Sequence, residues 1–313
     1  MGHPRKFRFG VQTHGDVDAV SWRAQARKIE DLGYSTLFMP DHFSDTRFAP
    51  MVAISVAAEA TTTLRIGMLV LGNDYKHPAV VAKEAATLDV LSDGRLELGL
   101  GAGWQLADYQ LLGLRYDSAG TRIARLEEAI AVVKGCFADG PFSFDGEHYR
   151  ITNYDAQPAP VHRPHPPLLV GGGGRKVLGL AGREANIVGI NPNLREGVIG
   201  ADAAQSTLRE VTEQKLQWIR AGAGERFDDL ELQIRYFVAA ITDDAMGLAQ
   251  ALAPAFGVDP EAALESSVAC AGTVEEVCDL LVQRREEWGV SYVVFGEDQF
   301  EAFAPVVARL AGT

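Results

Sequence analysis

The dipeptide Asp41-His42 is the clearest acid/base candidate in the chain. An imidazole titrates near neutrality and a neighbouring carboxylate can tune it, so this pair could move a proton at physiological pH. The plainer alternative is a polar loop in which Asp41 caps a helix. A second candidate is the run "PPLLVGGGGRK", residues 166–176, where four glycines precede Arg175 and Lys176. A short strand-to-helix turn there would present free N–H groups and a helix dipole, with two cations adding charge; that is a generic phosphate site. A sterically tight turn with solvated basic residues is the alternative. Neither "GGGGRK" nor "GLGAGW" carries the third glycine of a dinucleotide fingerprint, and the P-loop spacing is absent. Gly99, Gly101 and Gly103 alternate, which suits either the approach of a flat ring or close packing inside a barrel. His162 and His165 sit among prolines with no accompanying carboxylate or cysteine cluster, so a metal site is not expected. Glu127 and Glu128 fall on a helical pattern and read as a solvated face.

These residues need a frame, and the hydrophobic pattern supplies one. Apolar runs of strand length alternate with helical periodicities almost from end to end. Strands are expected at "KFRFGVQT", "STLFMP", "LRIGMLVLG", "RLELGLGAG", "PLLVG", "NIVGI", "ELQIRYFVAAIT" and "VSYVVFG". Pro50 and Pro78 open helices after the second and third strands, and a single helix is expected over "AAQSTLREVTEQKLQWIRAG". Thr273 and Glu276 have capping-box spacing. Residues 139–165 are turn-rich and form an excursion, with a hairpin expected around Asp145-Gly146. Eight such units without a linker predict one (β/α)₈ TIM barrel over residues 1–313, with an insertion after the fourth unit and an extended helical region after the seventh strand. In such a barrel, chemistry gathers where strands end, and "MPDHFSD", "LVLGNDYKHP", "GLGAGWQLADY" and "VGGGGRK" all fall there.

A formal charge of −13 over 313 residues argues against nucleic acid or an anionic membrane as partner and in favour of a small molecule. No stretch is long and apolar enough for a membrane span, and "MGHPRKFRFG" lacks the apolar core of a signal peptide. Cys136, Cys270 and Cys278 are scattered without metal or disulfide spacing, so a cytoplasmic location is expected.

Three segments, "LGYSTLFMPDHF", "LRIGMLVL…HPAVVAKEAATLDVLSDGRLELGLGAGW" and "PPLLVGGGGRKVLGLAGREANIV", resemble the luciferase-like monooxygenase superfamily, most closely its coenzyme F420-dependent oxidoreductase branch. The resemblance implies a barrel, hydride transfer between the deazaflavin F420 and a small organic substrate, and a homodimer. A flavin mononucleotide (FMN) monooxygenase and a non-catalytic flavin- or deazaflavin-binding protein are the alternatives on the same skeleton. It further implies that Asp41 and His42 lie near the reactive ring and that a non-proline cis peptide falls at Leu69–Val70 behind it. Ala102, Gly103 and Trp104 would flank the cofactor's linker, Gly173, Gly174 and Arg175 its phosphate, and Asn191 a further cofactor-side position. Arg175, Lys176 and Lys76 would offset the acidic tail. Some sugar-phosphate enzymes of this branch carry a glutamate proton donor where this chain has Trp104, a departure that argues against a sugar phosphate. Substrate choice would rest with variable loops and the 139–165 excursion.

Overall fold

The computed structural model describes residues 5–313; the first four residues of the "MGHPRKFRFG" start lie outside them. Strand β1 (Arg8–Gln12) is followed by α1 (Ala19–Asp31), β2 (Thr36–Met39) by α2 (Pro50–Ala60), and β3 (Arg65–Met68) by a two-residue continuation, β4 (Leu71–Gly72), and α3 (Pro78–Leu91). Strand β5 (Leu96–Gly101) leads through a short α4 (Leu106–Leu112) to α5 (Ala119–Phe137). A hairpin of β6 (Phe142–Asp145) and β7 (Arg150–Tyr154) comes next, then β8 (Leu168–Gly172), α6 (Arg175–Glu184) and β9 (Ile187–Ile190). Helices α7 (Ala201–Gln205) and α8 (Arg209–Ala223) precede β10 (Glu231–Arg235). The chain then builds β11 (Val238–Ile241), α9 (Ala245–Leu252), α10 (Pro260–Glu265) and β12 (Ala269–Gly272), and finishes with α11 (Val274–Trp288), β13 (Val290–Gly296) and α12 (Phe300–Leu310).

The parallel order β3-β2-β1-β13-β10-β9-β8-β5 returns on itself through a β3–β5 pairing, which closes an eight-stranded barrel. Strands such as β2, β9 and β13 are buried at every position, because barrel interior and helical ring cover both faces. Phe38, Leu69, Leu169, Ile187, Tyr292 and Val294 pack together as one inner cluster. At the N-terminal end, the buried Glu97 gathers Arg8, Arg65 (2.7 Å) and the Tyr292 hydroxyl (2.9 Å), tying four strands together. Burial alone would raise the Glu97 carboxyl, but the two guanidinium groups hold it below the usual carboxylate range. Helices start where the sequence marks them: Asp18 caps α1, Pro50 and Pro78 open α2 and α3, and Thr273 and Glu276 form a reciprocal capping box on α11.

Three expectations are corrected and one open alternative is decided. The seventh strand ends at Arg235, because Phe237 and Val238 turn their N–H groups to Val268 (3.0 and 3.1 Å). Residues 238–241 therefore pair with 269–272 in a separate parallel sheet outside the barrel. The helix expected over 203–222 breaks at Ser206–Leu208, where the Ser206 and Thr207 hydroxyls bond back to Ala203 and Ala204 (both 2.6 Å) and compete with the helical ladder. Glu128 is no solvated residue: its carboxylate accepts from the backbone N–H groups of Glu147, His148 and Tyr149 and pins the hairpin to α5. The alternating glycines 99 and 101 are packing devices. A Cβ on Gly99 would lie 1.8 Å from the Met68 carbonyl oxygen, and one on Gly101 would lie 2.5 Å from Val70.

Candidate active site

The C-terminal strand ends open into one cavity of about 880 Å³. Asp41, His42, Leu69, Val70, Ala102, Gly103, Trp104, Gly173, Gly174, Arg175 and Asn191 all line it, so the acid/base pair and these ring- and phosphate-side candidates converge on the same space. Lys76 does not join them; its ammonium is paired with Glu84 at 2.7 Å. His162 binds Asp89 (3.0 Å), and His165 bonds its neighbour's carbonyl.

His42 is oriented by a carboxylate that is not its sequence neighbour. Its Nδ1 lies 2.7 Å from the fully buried Asp108, which also accepts from the Phe43 and Ser44 N–H groups (2.9 and 3.0 Å). Against the cost of burial, these donors hold the Asp108 carboxyl below its ordinary range. An ionised carboxylate can only accept, so Nδ1 carries the proton and Nε2 is left for chemistry. Trp104 packs edge-on against the imidazole, with centroids 5.5 Å apart. Asp41 turns the other way and accepts from the Gly72 N–H at 3.1 Å; burial pushes its carboxyl up.

The wall beside this pair is the Leu69–Val70 segment, whose connecting peptide bond is cis. Gln12 donates to the Leu69 carbonyl (2.7 Å) and accepts from Arg235 (2.6 Å), so a buried polar chain underlies the wall. Burial lowers the Arg235 guanidinium to about 10. Across β5, the Gly103–Trp104 turn needs a glycine, since φ is +75° and a Cβ would fall 2.1 Å from the Tyr109 hydroxyl. Arg122 holds this turn through the Gly103 carbonyl (3.3 Å) and stacks on Tyr116.

The glycine run divides by function. Added Cβ atoms at 171, 172 and 173 would meet Asn191, Val177 and the Pro192 carbonyl oxygen within 3 Å, whereas one at Gly174 would meet nothing within 4 Å. Gly174 precedes α6, whose first turn has no side-chain cap. The start of α5, at Ala119 and Gly120, lines the same end of the cavity. Two helix N-termini thus meet there with Arg175 and Lys176, a setting suited to anions, while the Arg122 guanidinium is taken up by the Gly103 and Asp117 carbonyls and the Tyr116 hydroxyl. Lys215, buried beneath this end, donates to the Asn191 carbonyl at 2.7 Å, and burial pushes its ammonium down to about 7.

A family model described as luciferase-like monooxygenase matches residues 2–245. The chain belongs to the luciferase-like monooxygenase family. It is 28% identical over 190 residues to the FMNH(2)-dependent dimethylsulfone monooxygenase of Pseudomonas putida, a match covering 60% of this chain and 52% of that one. It is also 28% identical over 228 residues to the F420-dependent glucose-6-phosphate dehydrogenase of Amycolatopsis mediterranei (strain U-32), covering 66% and 65%. The chain thus spans about half to two thirds of the length of these curated relatives. In fold, it superposes on the coenzyme F420-dependent tetrahydromethanopterin reductase from Methanopyrus kandleri with a TM-score of 0.77, 20% identity and coverage of 97% and 98%.

Within this luciferase-like frame, the cavity draws on regions that sequence patterns pass over. Among the described residues, none of 139–165 lines it; the segment 238–271 does so instead. Asp108 sits on a seven-residue helix too short to show periodicity. His14 and Glu297, 3.3 Å apart at the mouth, belong to strand ends at opposite termini of the chain. Their hydrogen bond raises the His14 imidazole and lowers the Glu297 carboxyl. The His14 contribution to stability is therefore complete below the ordinary histidine value of ~6.5 and is lost as pH rises through the raised one. The two side chains remain 34% and 31% exposed, so screening keeps the pair at about 0.2–1 kcal/mol. Urea unfolding at pH 5.5 and 8.5 should show this alkaline loss in the parent and not in His14→Asn; equal losses in both would remove the pair from the pH response.

Proposed function

We propose that this protein is an oxidoreductase that uses the deazaflavin F420, with His42 as the proton-transferring group and a small organic molecule as substrate. The observation that carries the proposal is the His42–Asp108 pair facing the Leu69–Val70 wall in a cavity whose far end is an anion site. The residues fit the cofactor: a flat apolar wall for a ring, open space over Gly174 for a phosphate, and cations around it. Arg175 and Lys176 beside this turn, with Arg195 beyond them, suit a phosphate followed by an acidic tail. The F420-dependent relatives support the same choice, while the FMNH(2)-dependent one keeps FMN as the alternative.

When bound, the deazaflavin supplies a hydride acceptor or donor. The protein supplies position and protons. Leu69 and Val70 would press one ring face, and Gln12 keeps that wall fixed through the Leu69 carbonyl. Asp108 holds the His42 proton on Nδ1 and stabilises the imidazolium, so that Nε2 gives a proton to substrate oxygen in reduction and takes one in oxidation. Trp104, edge-on to the imidazole, would restrict its rotation.

Titrating the purified protein with F420 and with FMN, by absorbance and tryptophan fluorescence, tests the cofactor. Saturable F420 binding at least tenfold tighter than FMN is expected. Tight FMN binding with no response to F420 would overturn the assignment.

A further inference from the structure

The cavity has two chemically different ends. The charged end lies over β8 with the anion site described above. The other lies over β9 and β10, beneath the 238–272 segment, and is built from Ile199, Leu248, Leu252, Phe256, Val258 and Leu264. Ile199, Leu252 and Phe256 remain 65%, 41% and 37% exposed, large apolar side chains left facing open space inside a concave site. The lining side chains contributed by α9, α10 and the turn between them are all apolar. The Thr207 hydroxyl is already used by the Ala204 carbonyl, and Arg235 by Gln12 and the Tyr236 carbonyl. A sugar or a carboxylate placed here would surrender its hydration with too few partners to replace it.

Strand order fixes where this lobe lies relative to the chemistry. Around the closed barrel, β9 is four strands from β2 in either direction. The lobe therefore stands across the mouth from His42, one strand on from the anion site over β8. A volume of about 880 Å³ is at the upper end of the range for a single small ligand, ~300–1,000 Å³, leaving room for a substrate beside a ring system.

Resting on the oxidoreductase assignment above, we propose that the substrate is an uncharged carbonyl compound with an extended hydrocarbon body, together with its corresponding alcohol. The hydrocarbon occupies the lobe between α7 and the 238–272 segment, and the oxygen reaches the His42 Nε2. In reduction, the carbonyl π bond breaks. A C–H bond forms at its carbon with the hydride supplied by the reduced deazaflavin, and an O–H bond forms with the proton from Nε2. The deazaflavin is left oxidised and His42 neutral, so atoms and electrons balance. In the other direction, the alcohol gives up the same hydride and proton.

The test reads binding without turnover, on the protein with oxidised F420 and on the protein alone. A series of 2-hexanone, 2-octanone and 2-decanone is titrated by calorimetry and by fluorescence, with Trp104 in the cavity as reporter. Affinity should rise about fourfold per added methylene, equivalent to ~0.8 kcal/mol. Octanoate and glucose 6-phosphate should bind at least tenfold more weakly than 2-octanone. Phe256→Asp should flatten the series while leaving the circular dichroism spectrum and F420 affinity unchanged. A flat series in the parent, or a preference for octanoate, overturns the proposal. So does a Phe256→Asp variant that changes oligomeric mass yet keeps the parent's ketone series, since the exposed side chains would then serve a second copy of the chain. Ketone binding that rises with length in a protein that fails to bind F420 sustains the lobe and removes the cofactor assignment; F420 binding with a flat ketone series does the reverse.

Discussion

Replacing His42 by alanine should lower turnover by about 10²–10⁴-fold while changing cofactor affinity only a few-fold. The imidazole lies beside the wall and away from the anion site, so its loss removes a proton path and little binding surface. Asp108→Asn is the sharper half of the experiment. The asparagine amide can donate where the carboxylate only accepts, which frees the proton to sit on Nε2 and disfavours the imidazolium. A drop of roughly 10²-fold or more is expected, by the logic that a misassigned histidine tautomer disables acid/base chemistry with its geometry intact. The pH profile separates this from loss of structure: the limb belonging to His42 should move in Asp108→Asn and vanish in His42→Ala. Unchanged turnover in His42→Ala would remove it from proton transfer altogether.

The second large effect concerns the glycine run, where two adjacent substitutions should fail in opposite ways. At Gly174, φ is −109° and a Cβ meets nothing within 4 Å, so Gly174→Ala should fold with a stability within about 0.5 kcal/mol of the parent. The added methyl would occupy the space over the first turn of α6, and cofactor affinity should fall by at least tenfold. At Gly173, a Cβ would sit 2.1 Å from the Pro192 carbonyl oxygen and 2.6 Å from that of Asn191. Both are backbone atoms that cannot swing aside, so Gly173→Ala should cost about 1–3 kcal/mol in urea unfolding. If Gly174→Ala bound cofactor normally, the anion site would have to lie elsewhere.

The barrel was legible because parallel strands and their covering helices each impose a period, and the periods alternate without interruption. The strand-end loops were legible for a related reason: a barrel places its chemistry there, and unusual residues stand out against apolar runs. Pairings were not. Asp41 adjoins His42 in the chain, yet consecutive side chains at a strand end point apart, and the working partner is Asp108, 66 residues on. The sequence hides the end of the seventh strand because "RYFVAAIT" keeps its β character while changing sheets, and only the Phe237 and Val238 bonds to Val268 reveal the transfer. Glu128 looked solvated since nothing local marks a carboxylate that caps a hairpin some 20 residues away. The apolar lobe is invisible to local patterns because its side chains come from Ile199 before α7, from α9 and α10, and from the turn between them, pieces too short to show a period.

The segment 238–272 leaves the barrel after β10 and returns before α11, and its strands β11 and β12 pair only with each other, with neither β2 before His42 nor β8 at the glycine run. Cys270 of the segment is buried in the main core, and its polar ties include Ser267 N–H to the Thr207 carbonyl (2.8 Å), Gln205 to the Gly257 carbonyl (2.8 Å), and Arg284 to the carbonyls of Ala269 (2.6 Å) and Ser266 (2.8 Å). Such a segment is an exchangeable cassette. A transplant from another member of the family that keeps Ser267, Gly257 and the Arg284 acceptors can reshape one half of the site while the proton-handling half stays untouched. Selection, or a designer, can therefore vary what the barrel accepts without reopening the problem of how it reacts.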